Sequence, residues 1–83
     1  MKKIQVYGTG CPSCQKLFDL AQQAVRELGY DISVEKIEDL NAMLMAGVMR
    51  TPGLAFDGKL ILQGKIPLYA TLKSWIQKEH DNR

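Results

Sequence analysis

Cys11 and Cys14 are the only cysteines among the 83 residues, and they stand in the run Gly8-Thr9-Gly10-Cys11-Pro12-Ser13-Cys14. A strand-like stretch, Lys3-Ile4-Gln5-Val6-Tyr7, precedes the run, and a long amphipathic segment, Gln15 to Leu28, follows it. Two thiols therefore fall where a strand ends and a helix begins. A helix N-terminus offers unpaired backbone N–H groups and the positive end of the helix dipole. Both favour a thiolate, the form of cysteine that attacks disulfides and binds soft metals. At a spacing of C-x-x-C there, the two sulfurs can close on each other with little rearrangement. The chemistry indicated is reversible thiol exchange, with Cys11 at the helix lip as the attacking thiolate and its pKa below the free value of about 8.5. Pro12 has no N–H, so the donors facing that sulfur are those of Ser13 and Cys14. Cys14, one turn further in, stays a thiol until it resolves a mixed disulfide.

The elements that must hold this pair follow from periodicity. Ile4 and Val6 are β-branched and glycines close the run, which reads as a strand. Pro12 suits the first helical position. Leu17, Leu20, Ala21, Ala24 and Leu28, joined by Phe18 and Val25, recur at helical spacing, and Gly29 is a stop. Asp31 to Ile37 reads as a second strand, which makes a parallel, right-handed βαβ unit with the first. Glu38 to Gly47 reads as a short helix with Leu40, Met43 and Leu44 inward, and Met45 and Met49 as core gap-fillers. Thr51-Pro52-Gly53 breaks it. Leu54-Ala55-Phe56, Asp57-Gly58 and Lys59 to Leu62 form a hairpin signature. Gln63-Gly64-Lys65 is a loop. Pro67 fits the first turn of a closing helix with Leu68, Leu72, Trp75 and Ile76 inward. The order is β-α-β-α-β-β-α, an α/β fold with one four-stranded mixed sheet covered by helices on both faces.

Composition bounds the rest. Residues 1–83 have room for one small domain, with 79–83 a polar tail expected to fray. With 46% hydrophobic and 24% charged residues the chain is an ordinary globular one. A net charge of +2, from eleven scattered Lys and Arg, gives no reason to expect nucleic acid as a partner. One C-x-x-C is not the framework of a secreted mini-protein. Gln5 and the glycines interrupt any signal-peptide pattern, and no segment has the length of a membrane span. The expected setting is the cytoplasm, as a monomer. His80 reads as a solvated residue near a helix C-terminus.

Taken together, the element order, the C-x-x-C after the first strand and Thr51-Pro52 before the third resemble the thioredoxin-like superfamily at its smallest, glutaredoxin-sized form. Tyr7-Gly8-Thr9-Gly10-Cys11-x-x-Cys14, Arg50-Thr51-Pro52-Gly53-Leu54 and Asp57-Gly58 are similar to the small archaeal and bacterial redox-active disulfide proteins. The resemblance covers essentially the whole chain. It implies a cis proline at Pro52 lying against the disulfide, and backbone hydrogen bonds from Thr51 to an extended substrate segment. Gly10, Pro12 and Gly53 would complete the substrate contact, with Gly53 letting a partner's backbone approach. The partners implied are protein disulfides and a thioredoxin-reductase-like electron donor, and the disulfide itself needs no cofactor or metal. Two features depart from typical thioredoxins. Gly10 and Pro12-Ser13 replace parts of Trp-Cys-Gly-Pro-Cys, and residues 1–10 contain no Asp or Glu, so the buried acid before the motif is missing. The glycine pair and acid that cap glutathione in glutaredoxins have no counterpart around Gln63-Gly64-Lys65.

Other readings of the two cysteines stay open at this stage. An inert buried pair is the bland one, and a redox sensor docking a single partner is another. A carrier of Cu(I) is the sharper rival, because ferredoxin-like metal-binding domains also place C-x-x-C between a first strand and a helix. That fold should end in a strand, however, and has nothing like Thr51-Pro52.

Overall fold

The computed structural model describes residues 1–81. Its elements run β1 (Lys3–Tyr7), α1 (Pro12–Leu28), β2 (Ser33–Ile37), α2 (Leu40–Ala46), β3 (Gly53–Phe56), β4 (Lys59–Gln63) and α3 (Tyr69–Asp81). The sheet order is β2-β1-β3-β4, with β1 parallel to β2 and antiparallel to β3, and β3 antiparallel to β4. This is the expected four-stranded mixed sheet. The last element among the described residues is the helix α3.

Strand alternation sends side chains to two separate cores. Ile4 and Val6 of β1, with Leu54 and Phe56 of β3, face Leu17, Ala21, Ala24 and Val25 of α1 and Leu72 and Ile76 of α3. On the opposite face Tyr7 and Ala55 meet Met43 and Val48 around α2. Gln5, on that second face, is buried, and its side-chain oxygen accepts the N–H of Gly58 at 3.0 Å. That bond holds the β3–β4 turn, where Asp57 and Gly58 both take positive φ as an Asp-Gly hairpin requires. Asp57 also reaches back to β1, accepting from the N–H of Lys3 at 2.8 Å and of Lys2 at 3.0 Å.

Several expected details are corrected. In α2 only Met43 turns inward, followed by Val48, whereas Leu40 and Leu44 are exposed. These leucines, four apart, share a neighbouring stripe of a seven-residue helix that stays exposed among the described residues. Met45 and Met49 fill no gap in the core; they are 89% and 88% exposed. The closing helix starts at Tyr69 rather than at Pro67, and Leu68 is exposed, serving α3 through its carbonyl, which accepts from Leu72 at 2.9 Å. Trp75 is half-buried against the larger core. The helix runs to Asp81, taking in the first three residues of the polar tail; residues 82 and 83 of that tail lie outside the described residues. His80 is not simply solvated either. Its ring stacks on Tyr30 with centroids 3.7 Å apart, and its Nδ1 is buried without a hydrogen-bond partner among the described residues.

Candidate active site

α1 begins where β1 stops, and Cys11 is its N-cap, with extended backbone (φ −86°, ψ 148°) and Pro12 next in the first turn. An N-cap side chain normally supplies an oxygen to the first turn's free N–H groups. Here the sulfur of Cys11 fills that role, accepting from the N–H of Cys14 at 3.1 Å. Of the two donors expected to face this sulfur, the structure therefore shows Cys14. The carbonyl of Cys11 meanwhile accepts from Gln15 at 3.1 Å, the first bond of the helix.

Cys11 and Cys14 form a disulfide. Their exposures differ sharply. Cys11 is partly open to solvent, while Cys14, on the inner side of the first turn, is 1% exposed. Pro12 and Ser13 are exposed between them, and so is Gly10, whose left-handed φ of +59° accounts for a glycine there.

The other half of the site comes from the loop between α2 and β3. The Thr51–Pro52 peptide is cis. Thr51 is exposed and Pro52 buried, and the Cβ of Thr51 and the side chain of Cys14 both fall within 4 Å of the point where a Cβ on Gly8 would lie. Two bonds from β4 fix this loop. The side-chain oxygen of Gln63 accepts from Met49 at 2.7 Å and from Arg50 at 3.1 Å. The N–H of Gly64 donates to the carbonyl of Pro52 at 2.9 Å. Sequence reasoning missed Gln63, because a polar residue at a strand end carries no local signal of the loop it will hold.

Gly53 is buried at the start of β3, paired with Tyr7 and Gln63. A Cβ there would press on the Val48 methyls at 3.1 and 3.2 Å, so the glycine makes room for Val48 inside the protein. Tyr7 is buried in the smaller core, and Thr9 is exposed.

No cluster of three or more His, Cys, Asp or Glu capable of holding a metal occurs among the described residues. Lys36 on β2 donates to the side chain of Gln15, in the first turns of α1, and lies 5.7 Å from the Phe18 ring centre. Two surface grooves, one lined by Phe56, Ile61 and Trp75 and the other by Gln22, Val25 and Ile32, include neither cysteine.

Comparison with known proteins agrees with this geometry. A family profile described as a thioredoxin domain matches residues 2–77. A thioredoxin of Methanothermobacter thermautotrophicus is 50% identical over 66 residues, covering 80% of this chain and 86% of that protein. A thioredoxin of Methanocaldococcus jannaschii is 40% identical over 73 residues, covering 88% and 84%. With a disulfide at C-x-x-C spacing on a helix N-terminus and a sheet of this order, the chain belongs to the thioredoxin domain family and is a small thiol–disulfide oxidoreductase.

Proposed function

We propose that the protein reduces disulfides of other proteins, with Cys11 as the attacking sulfur and Cys14 as the resolving one. The observation that carries this assignment is the difference in exposure between them: a partner's disulfide can meet Cys11, and not Cys14. The Cys11 thiolate attacks one substrate sulfur, that S–S bond breaks, and the other substrate sulfur leaves as a thiolate. Cys14 then gives up its proton and attacks the sulfur of Cys11. The Cys11–Cys14 bond forms, the second substrate thiolate leaves, and two electrons have passed to the substrate. The N–H of Cys14 stabilises negative charge on Cys11 throughout, as does the end of α1.

Thr51, with Gly10 and Pro12, forms the contact surface for an extended substrate segment, and Met49, exposed two residues before Thr51, adds apolar area to it. A thioredoxin-reductase-like donor returns the electrons, and no further cofactor takes part. The working unit is a monomer, and both sulfurs of its redox couple lie in one chain. Its place is the cytoplasm; no helix among the described residues is long and apolar enough to cross a membrane.

Reduction of insulin driven by dithiothreitol tests the reading. Wild type accelerates it and Cys11→Ser does not. A wild type that gives no acceleration, yet binds one Cu(I) through the two thiolates, would favour a soft-metal carrier instead.

A further inference from the structure

We propose that Gly8 is a positioning residue for the redox couple: the space left by its missing side chain seats the sulfur of Cys14 when the disulfide is closed. Gly8 is buried directly after β1, and it is not one of the glycines with left-handed φ. Its N–H donates to the carbonyl of Ile37 at 3.0 Å, continuing the β1–β2 ladder. The backbone at this position would accept any L residue. What bars one is Cys14: a Cβ on Gly8 would lie 2.1 Å from the Cys14 sulfur and 2.8 Å from its Cβ. Thr51, at 3.7 Å, would be in ordinary contact. Gly10, directly before Cys11, is a glycine for the opposite reason, with φ of +59° and open space where a Cβ would go.

The two close approaches respond differently to the redox state. The Cβ of Cys14 stays in place whether the disulfide is open or closed, so the 2.8 Å contact burdens both forms. The sulfur does not. Bonded to Cys11, it cannot turn about its Cα–Cβ bond, whereas in the dithiol it can rotate away into another staggered position. A methyl group at residue 8 therefore opposes the disulfide more than the dithiol. Gly8 favours the closed form, and thereby makes the reduced protein a stronger reductant.

Equilibration with dithiothreitol reads this effect. The two thiols of dithiothreitol give up two electrons and two protons as it closes to its cyclic disulfide, and the Cys11–Cys14 bond takes them up and opens to two thiols. For Gly8→Ala the equilibrium constant for this reduction should rise about tenfold over wild type, equivalent to about 30 mV for a two-electron couple. A rise of less than threefold overturns the proposal, because glycine would then serve both forms alike and act only on folding. If oxidised Gly8→Ala does not fold, circular dichroism of the same variant in excess dithiothreitol decides. A folded reduced form supports the proposal, because only the closed disulfide is then barred, and a variant unfolded in both states overturns it. The inference rests on Cys11–Cys14 being the working couple. A wild-type disulfide that dithiothreitol leaves intact would overturn that reading and this one together, whereas a wild type that cycles beside an unshifted Gly8→Ala overturns this one only.

Discussion

The N–H of Cys14 donates to the sulfur of Cys11 across 3.1 Å, so the more exposed cysteine caps the helical turn that carries the buried one. The sulfur occupies the place an oxygen takes in an ordinary N-cap, and the first helical turn is organised around it. When the disulfide opens, this donor and the helix end remain to hold negative charge on Cys11.

Alkylation of the reduced protein by iodoacetamide should therefore show one fast thiol, Cys11, with a pH midpoint below about 8.5. Cys14 should react more slowly, being buried. A single midpoint like that of free cysteine would contradict the capping role.

The loop opposite the cysteines depends on one side-chain oxygen. Gln63→Ala removes the acceptor for Met49 and Arg50. It should cost about 1 kcal/mol in urea unfolding, the usual net worth of such bonds, and slow insulin reduction while leaving the Cys11 alkylation profile unchanged. An altered alkylation profile would mean that Gln63 acts on the sulfur rather than on the loop.

Packing differs sharply between the two sides of the sheet. Leu17→Ala, in the fully buried face of α1, should destabilise by about 2–5 kcal/mol. Leu44→Ala, on the open stripe of α2, should fall within about 0.5 kcal/mol. Urea midpoints of the two variants check the contrast, and a large loss at Leu44 would place α2 differently.

The hydrogen bond from Tyr69 to Glu27 ties α3 to α1. That bond, then those from Gln23 and Lys73, lower the Glu27 carboxyl from 4.5 to about 2. Desolvation, then the bond to Glu27, pushes the Tyr69 hydroxyl from 10.0 up to about 12. Because the folded value for Glu27 is the lower one, its contribution is present above about pH 4.5 and is lost as the pH falls toward 2. Tyr69 has the higher folded value, so its contribution is present below pH 10 and is lost as the pH rises toward 12. Melting temperatures measured across pH should fall less steeply at both ends for Tyr69→Phe than for wild type. Parallel curves would show that the pair does not couple protonation to folding.

Much of this was legible in the chain itself. Ile4 and Val6, the apolar spacing of α1, Gly29 and Asp57-Gly58 carry strong local rules, and each element appears in its expected place. Resemblance, rather than pattern, supplied the cis bond before Pro52. Faces of short elements were harder to read. Leu40, Met43 and Leu44 fit one helical stripe on paper, but seven residues of helix bury only what the sheet beneath them can cover, and that is Met43. Leu68 lies outside α3, where helical periodicity no longer orients a side chain. Glycines hid their reasons altogether: Gly53 yields to Val48, Gly8 to Cys14 and Gly10 to its own φ, three demands that look identical in sequence.

The most direct test of the assignment of the two sulfurs is the mass of the adduct formed when Cys14→Ser and Cys11→Ser are each incubated, reduced, with a protein disulfide. Cys14→Ser should accumulate a stable mixed disulfide through Cys11, and Cys11→Ser should form almost none. Adduct accumulating on Cys14 in Cys11→Ser at a comparable rate would contradict the division of labour between an open sulfur and a buried one.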